Sequence, residues 1–237
     1  MSHKYSSAKG WAAVPALLLA AVGVLSIAPI AAGAGSPGQL AIARAINLRA
    51  ADLPGFTSHP GGGNGTSPFG SQINSTCSGL VGAGQHRRTA HAGSPLFMST
   101  SGLRSEEVQS AVEIEHSRRV VRHDLAVGRS KHTRVCIASV LGALKFTEQG
   151  TQFTITNVRV TPLRVVIPGA NGSFGLRINA AVSGVSISIP FTIDMIGIAV
   201  GRDEISLTAE GTDRTFPRKT EQRLTQLLVS RALALPR

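Results

Sequence analysis

Aromatic residues, acids and cysteines are all scarce in this 237-residue chain. Aromatics make up 4%, and the single Trp and single Tyr, Trp11 and Tyr5, lie close to the N-terminus. Beyond them the aromatics are eight Phe, with no polar handle among them. That argues against sugar sites and single-strand nucleic-acid sites, which rely on stacking faces. Two cysteines are too few for a disulfide-dense mini-scaffold, and no Cys-x-x-Cys pair occurs. After the first apolar run no second one of about 20 residues follows, which excludes a polytopic helical membrane protein. Only 13 acids face 24 basic residues, for a formal charge of +11. The basic residues are spread along the chain, are mostly Arg, and do not interleave with aromatics, so nucleic acid is not an expected partner.

What is present begins with a leader. Lys4 and Lys9 precede an apolar stretch from Trp11 to Ile30, and Ala32-Gly33-Ala34 supplies the small-residue exit that signal peptidase accepts. Cleavage before Gly35 leaves a secreted or cell-envelope domain whose membrane contact is transient. The rival reading is an uncleaved N-terminal anchor, since the apolar stretch is about long enough to span a bilayer. Pro15, Gly23 and Pro29 weaken that helix. The whole sequence is 42% hydrophobic, and the chain that remains is long enough for one well-filled core. The expected organisation is a signal peptide over 1–34, an N-terminal lead-in over 35–56 and a flexible Gly/Ser-rich loop over 57–84. Residues 85–237 form the rest of a single domain that includes 35–56.

Along the domain, Val108 to Glu115 alternates apolar residues with Gln109, Glu113 and Glu115, the period of a half-buried strand. Ser117 is placed to cap a helix stopped by Gly128, and Ser130 or Thr133 to start another. In the second, Ile137, Val140, Leu141 and Leu144 form one apolar stripe. From Thr151 onward alternating segments follow: Phe153 to Val160, Phe174 to Ala180, Ile187 to Ile193 and Ile205 to Ala209. Pro217 opens a last helix with Leu224, Leu227, Leu228 and Leu235 on its inner side. Clean alternation predicts antiparallel strands covered on one side. The expected fold is therefore α+β, an antiparallel sheet of about five strands with helices packed on one face, a two-layer sandwich.

Candidate chemistry is thin. An even cysteine count in an exported chain reads as a disulfide between Cys77 and Cys136, closing a loop of roughly 60 residues and stabilising by about 4 kcal/mol. Gly61-Gly62-Gly63-Asn64-Gly65 lacks the Lys-Ser/Thr of a phosphate loop. Five histidines lie between His86 and His132, but His116 and His123 are too far apart on a helix to share an ion, so they read as solvated. Gly172-Ser173-Phe174-Gly175 lacks the spacing of a nucleophile elbow. Asp194 is the one acid in a strongly apolar strand, and it keeps the polar phase with Thr192, which points it to solvent. No motif calls for a cofactor, a metal or a catalytic residue.

Leu48-Arg49-Ala50-Ala51-Asp52-Leu53-Pro54-Gly55-Phe56, Cys77, the segment from Ser110 to Ala126 and Arg134-Val135-Cys136-Ile137 together resemble secreted actinobacterial proteins of unknown role. Those are similar to the extracellular sensor domains of PknH-type kinases and to PsbP-like lipoproteins. The resemblance implies an antiparallel sheet with helices against it and a cleft for a ligand. It assigns no ligand contact to any residue here, and the sensor domains carry more than one disulfide where this chain can make one. The leading expectation is a non-enzymatic cell-envelope domain binding a small-molecule or lipid ligand. The alternatives are an extracytoplasmic hydrolase using Asp194 or a histidine, and a structural or protein-interaction module.

Overall fold

The structure is a computed structural model and describes residues 37–60, 76–77, 88–102, 104–148 and 150–235. The signal residues Ala32, Ala34 and Gly35 lie outside the described residues, as does most of the segment 57–84. The chain runs α1 (Pro37–Ile46), a 3-10 turn (Ala50–Asp52), β1 (Thr57–His59), β2 (Arg88–Gly93), β3 (Leu96–Ser101) and β4 (Arg104–Glu115). It continues with α2 (Arg118–Arg129), α3 (Lys131–Ala143), β5 (Lys145–Glu148), β6 (Thr151–Pro162), β7 (Gly172–Ser183), β8 (Ser188–Val200), β9 (Asp203–Thr212) and α4 (Arg218–Ala234).

The sequence rules place the helices well. Ser117 accepts a hydrogen bond from the Val120 amide to cap α2, and Ser130 accepts one from Thr133 to cap α3. Gly128 does not stop α2, which runs on to Arg129. A Cβ there would lie 2.7 Å from the Phe174 ring, so Gly128 is a close-approach residue. Pro217 precedes α4, whose Leu224, Leu228 and Val229 are fully buried.

The strands form one nine-stranded sheet in the order β1-β3-β4-β9-β8-β7-β6-β5, with β2 also pairing β4, every pair antiparallel. It is α+β, but two expectations are corrected. The sheet exceeds five strands, because β1, β2, β3 and β5 are short and carry small or polar residues that give no alternating signal. The added strands include β1 on β3, formed by Thr57–His59 at the start of the segment read as a loop.

The second correction is that helices cover both faces. Val108, Val112 and Ile114 of β4 pack with Ile205, Leu207, Ile196 and Ile198 under Ile46 of α1 and Leu224, Leu228 and Val229 of α4. On the opposite face Ile178, Phe191 and Ile193 pack under Ile137, Val140 and Leu141 of α3, while Leu125 of α2 sits on Ala199. The reason lies in β8. Its odd residues Phe191 and Ile193 face α3, but its even residues Ile196, Ile198 and Val200 face α1 and α4. A strand apolar in both phases is buried twice.

Candidate functional site

Asp194 belongs to the face under α1 and α4. It is 1% exposed, which corrects the solvent-facing expectation: its phase is polar, but α4 lies over it. Arg177, its cross-strand partner on β7, donates from Nε to Oδ1 at 2.7 Å and from Nη2 to Oδ2 at 2.6 Å. Glu221, in the first turn of α4, hydrogen-bonds Asp194, and burial followed by the Asp194 charge pushes the Glu221 carboxyl up to about 7. Two carboxyls thus stand beside one guanidinium. Both Asp194 oxygens are engaged by Arg177, so the arrangement holds α4 to β7 and β8. No histidine belongs to it among the described residues.

The histidines do not assemble either. His116, His123 and His132 are exposed. His91 Nδ1 lies 3.3 Å from Glu113 Oε1, which also accepts from Arg88 Nη1 at 2.5 Å. Among the described residues no group of three His, Cys, Asp or Glu side chains is placed to hold a metal ion. Cys77 and Cys136 are disulfide-bonded, their Cα atoms 6.1 Å apart, and Cys77 is buried in the cluster beneath α3. No helix among the described residues is long and apolar enough to cross a membrane.

The cleft lies on the α2/α3 face, where β4, β9, β8 and β7 meet. A groove with about 70 Å³ of cavity volume is lined by Phe174, Met195 and Gly197 on one side and by Glu113, Glu204 and Ser206 on the other. Its floor is set by a close packing: a Cβ on Gly197 would meet the Phe174 ring at 2.1 Å. Phe174 is thereby seated between β8 and Gly128 of α2. Glu113 and Glu204 are direct cross-strand partners. Burial, then the charges of Glu113, Asp124 and Glu115, holds the Glu204 carboxyl well above its ordinary value, with Arg88 opposing. Like charges directly opposite on a sheet are destabilising. The groove can therefore take an apolar fragment against Phe174 and Met195 and a polar group at Glu204.

Sequence reasoning missed this site. The signal was present as repeated Glu in the polar phase of β4 and β9, but it reads as a solvated face unless a helix layer is known to rise beside it.

No protein-family model and no curated protein matches the sequence. Among solved structures the chain is similar to the extracellular domain of PknH from Mycobacterium tuberculosis, at a TM-score of 0.43 and 10% identity, over 86% of this chain and 97% of that one. The likeness is a resemblance in overall structure alone.

Proposed function

We propose that this chain is an exported, non-enzymatic domain of the cell envelope that binds a small ligand in the groove between β4, β7, β8 and β9. The observation that carries the reading is the groove itself, an apolar wall of Phe174, Met195 and Gly197 facing the Glu113–Glu204 pair. Pockets that hold small molecules combine such a wall with a few convergent polar groups. A cavity of about 70 Å³ favours a small head group over a lipid chain. Export is supported by the leader and by the Cys77–Cys136 bond, which persists in oxidising compartments.

Native mass spectrometry of the protein purified from its own host tests the reading. The expected result is a bound small molecule in the wild type and its loss in Ser206→Trp, which fills the groove mouth. Wild-type protein carrying no mass beyond its own chain would overturn it, as would a ligand retained in Ser206→Trp.

A further inference from the structure

Six residues along β4 from Glu113, on the same face of the sheet, Glu107 stands directly opposite Glu210 of β9. Glu107 is 2% exposed and Glu210 3%, deeper than the groove pair. Neither carboxyl oxygen of Glu107 has a hydrogen-bond partner, nor has Oε1 of Glu210. Ser105 precedes Glu107 by two positions on the same face, is 3% exposed, and its Oγ is also unpartnered. Native interiors rarely leave so many neighbouring acceptors unsatisfied.

Among the described residues no counter-charge pairs with these carboxyls. Met98 of β3 lies opposite Glu107 and Ile193 of β8 opposite Glu210, and the next pair along the seam is the uncharged Gln109 and Thr208. The neighbouring charge acting on Glu210 is that of Glu107. Unlike Glu113, which bonds Arg88, this pair has no arginine or lysine partner among the described residues. Four hard oxygens from two carboxyls and a hydroxyl, buried together, match one class of ligand. We propose that Ser105, Glu107 and Glu210 form a binding site for a hard divalent cation, Ca²⁺ or Mg²⁺, with water completing the shell.

The oxygen-only donor set selects against Zn²⁺ and Cu⁺, which prefer nitrogen or sulfur. Two carboxylates neutralise one divalent ion. With so few protein ligands the affinity falls in the weak range used outside cells, a Kd of about 10⁻⁴–10⁻³ M. A carboxylate binds a cation only when ionised, so protons compete with the ion and binding tightens as pH rises. The site is separate from the ligand reading of the groove and stands or falls without it.

The test is calorimetric titration of EDTA-treated protein with Ca²⁺ and, separately, with Mg²⁺, at pH 6 and at pH 8. The expected result is one ion per chain for at least one of the two metals, bound more tightly at pH 8. Glu107→Gln and Glu210→Gln keep the side-chain shape and each weakens binding by ~10–100-fold or more, a loss that even outer-shell changes cause at metal sites. Asp213→Asn, at an exposed acid paired with Arg104, leaves it unchanged. Absence of binding for both ions up to about 10 mM at pH 8, well above the weak range, overturns the proposal. So does binding that survives both Gln variants, or that is equally tight at the two pH values. Should a Gln variant not fold, Glu107→Asp and Glu210→Asp, which keep the charge but withdraw the oxygens, decide: unchanged affinity in both overturns the proposal.

Discussion

The two faces of strand β4 treat buried polar groups in opposite ways. Toward α1 and α4, Ser110 Oγ donates to Asn47 Oδ1 at 2.7 Å and accepts from the Leu48 amide, while Asn47 donates to the Ala92 carbonyl. Toward the other face, Ser105, Glu107 and Glu210 are as deeply buried, and Ser105 Oγ, both Glu107 carboxyl oxygens and Glu210 Oε1 have no hydrogen-bond partner. Acids follow the same division. Under α4, Asp194 is held by Arg177, and beside α1, Asp52 is bonded twice by Arg231. On the α2/α3 face Glu107 meets Glu210 and Glu113 meets Glu204 across the same two strands. Satisfied networks specify structure; unsatisfied ones in a native fold call for another explanation, and a ligand supplies it. The first face is built to close, the second to receive.

The largest expected effect probes how the receiving face is held. The double change Cys77→Ser and Cys136→Ser removes the tie between α3 and the segment at Cys77, and we expect a loss of about 4 kcal/mol in urea unfolding for a loop of this length. Intact-mass analysis without reductant checks the bond itself, with no free thiol expected. On the closed face, Arg177→Met leaves Asp194 buried without its partner and should cost about 3 kcal/mol by the same measurement. A cost near zero would remove the contrast between the faces.

Gly197→Ala tests the groove floor. Its Cβ cannot coexist with the present Phe174 ring position, so a cost of about 1–3 kcal/mol is expected, together with weaker ligand retention. The smallest effect is in pH. Glu107 and Glu221 are pushed up to about 7, and Glu204 and Glu210 are raised well above their ordinary value, in each case first by burial. A carboxyl raised in the folded chain stabilises fully below its unfolded value and loses that contribution as pH rises through the folded one. Stability in EDTA should therefore fall between pH 6 and pH 8, by about 1 kcal/mol for each group titrating near 7. Asp52 acts oppositely: burial alone would raise it, but Arg231 and the Arg49 amide hold it low, so its contribution fades only in strong acid. Glu221→Gln should remove one share of the loss, read as a shallower thermal-midpoint profile.

Much of the closed architecture was legible in the residues. Ser117 and Ser130 announce two helix starts, and the Leu stripe of the last helix faces inward as its spacing demands. What was not legible follows from one ambiguity: period-2 alternation reveals that a strand has two faces, not what covers each. The odd residues of β8 suggested a single buried side, while Ile196, Ile198 and Val200 occupy the other. The same ambiguity hid the candidate site. Asp194 was singled out and read toward solvent, yet α4 buries it. The glutamates of β4 read as a wetted edge, yet β9 brings two more of them into register from about a hundred residues away. A pairing so distant in sequence leaves no local trace.

The central claim, that the β4–β9 glutamates are kept for a ligand at the expense of the fold, is tested most directly by one unfolding free energy. The variant Glu107→Gln, Glu204→Gln, Glu210→Gln removes three carboxylates without changing their shape. Measured by urea unfolding at pH 8 in EDTA, it should be more stable than the wild type by about 1–3 kcal/mol, as the unpaired buried charges are relieved. A variant less stable than the wild type under those conditions would mean that the acids hold the sheet together, and would contradict the account.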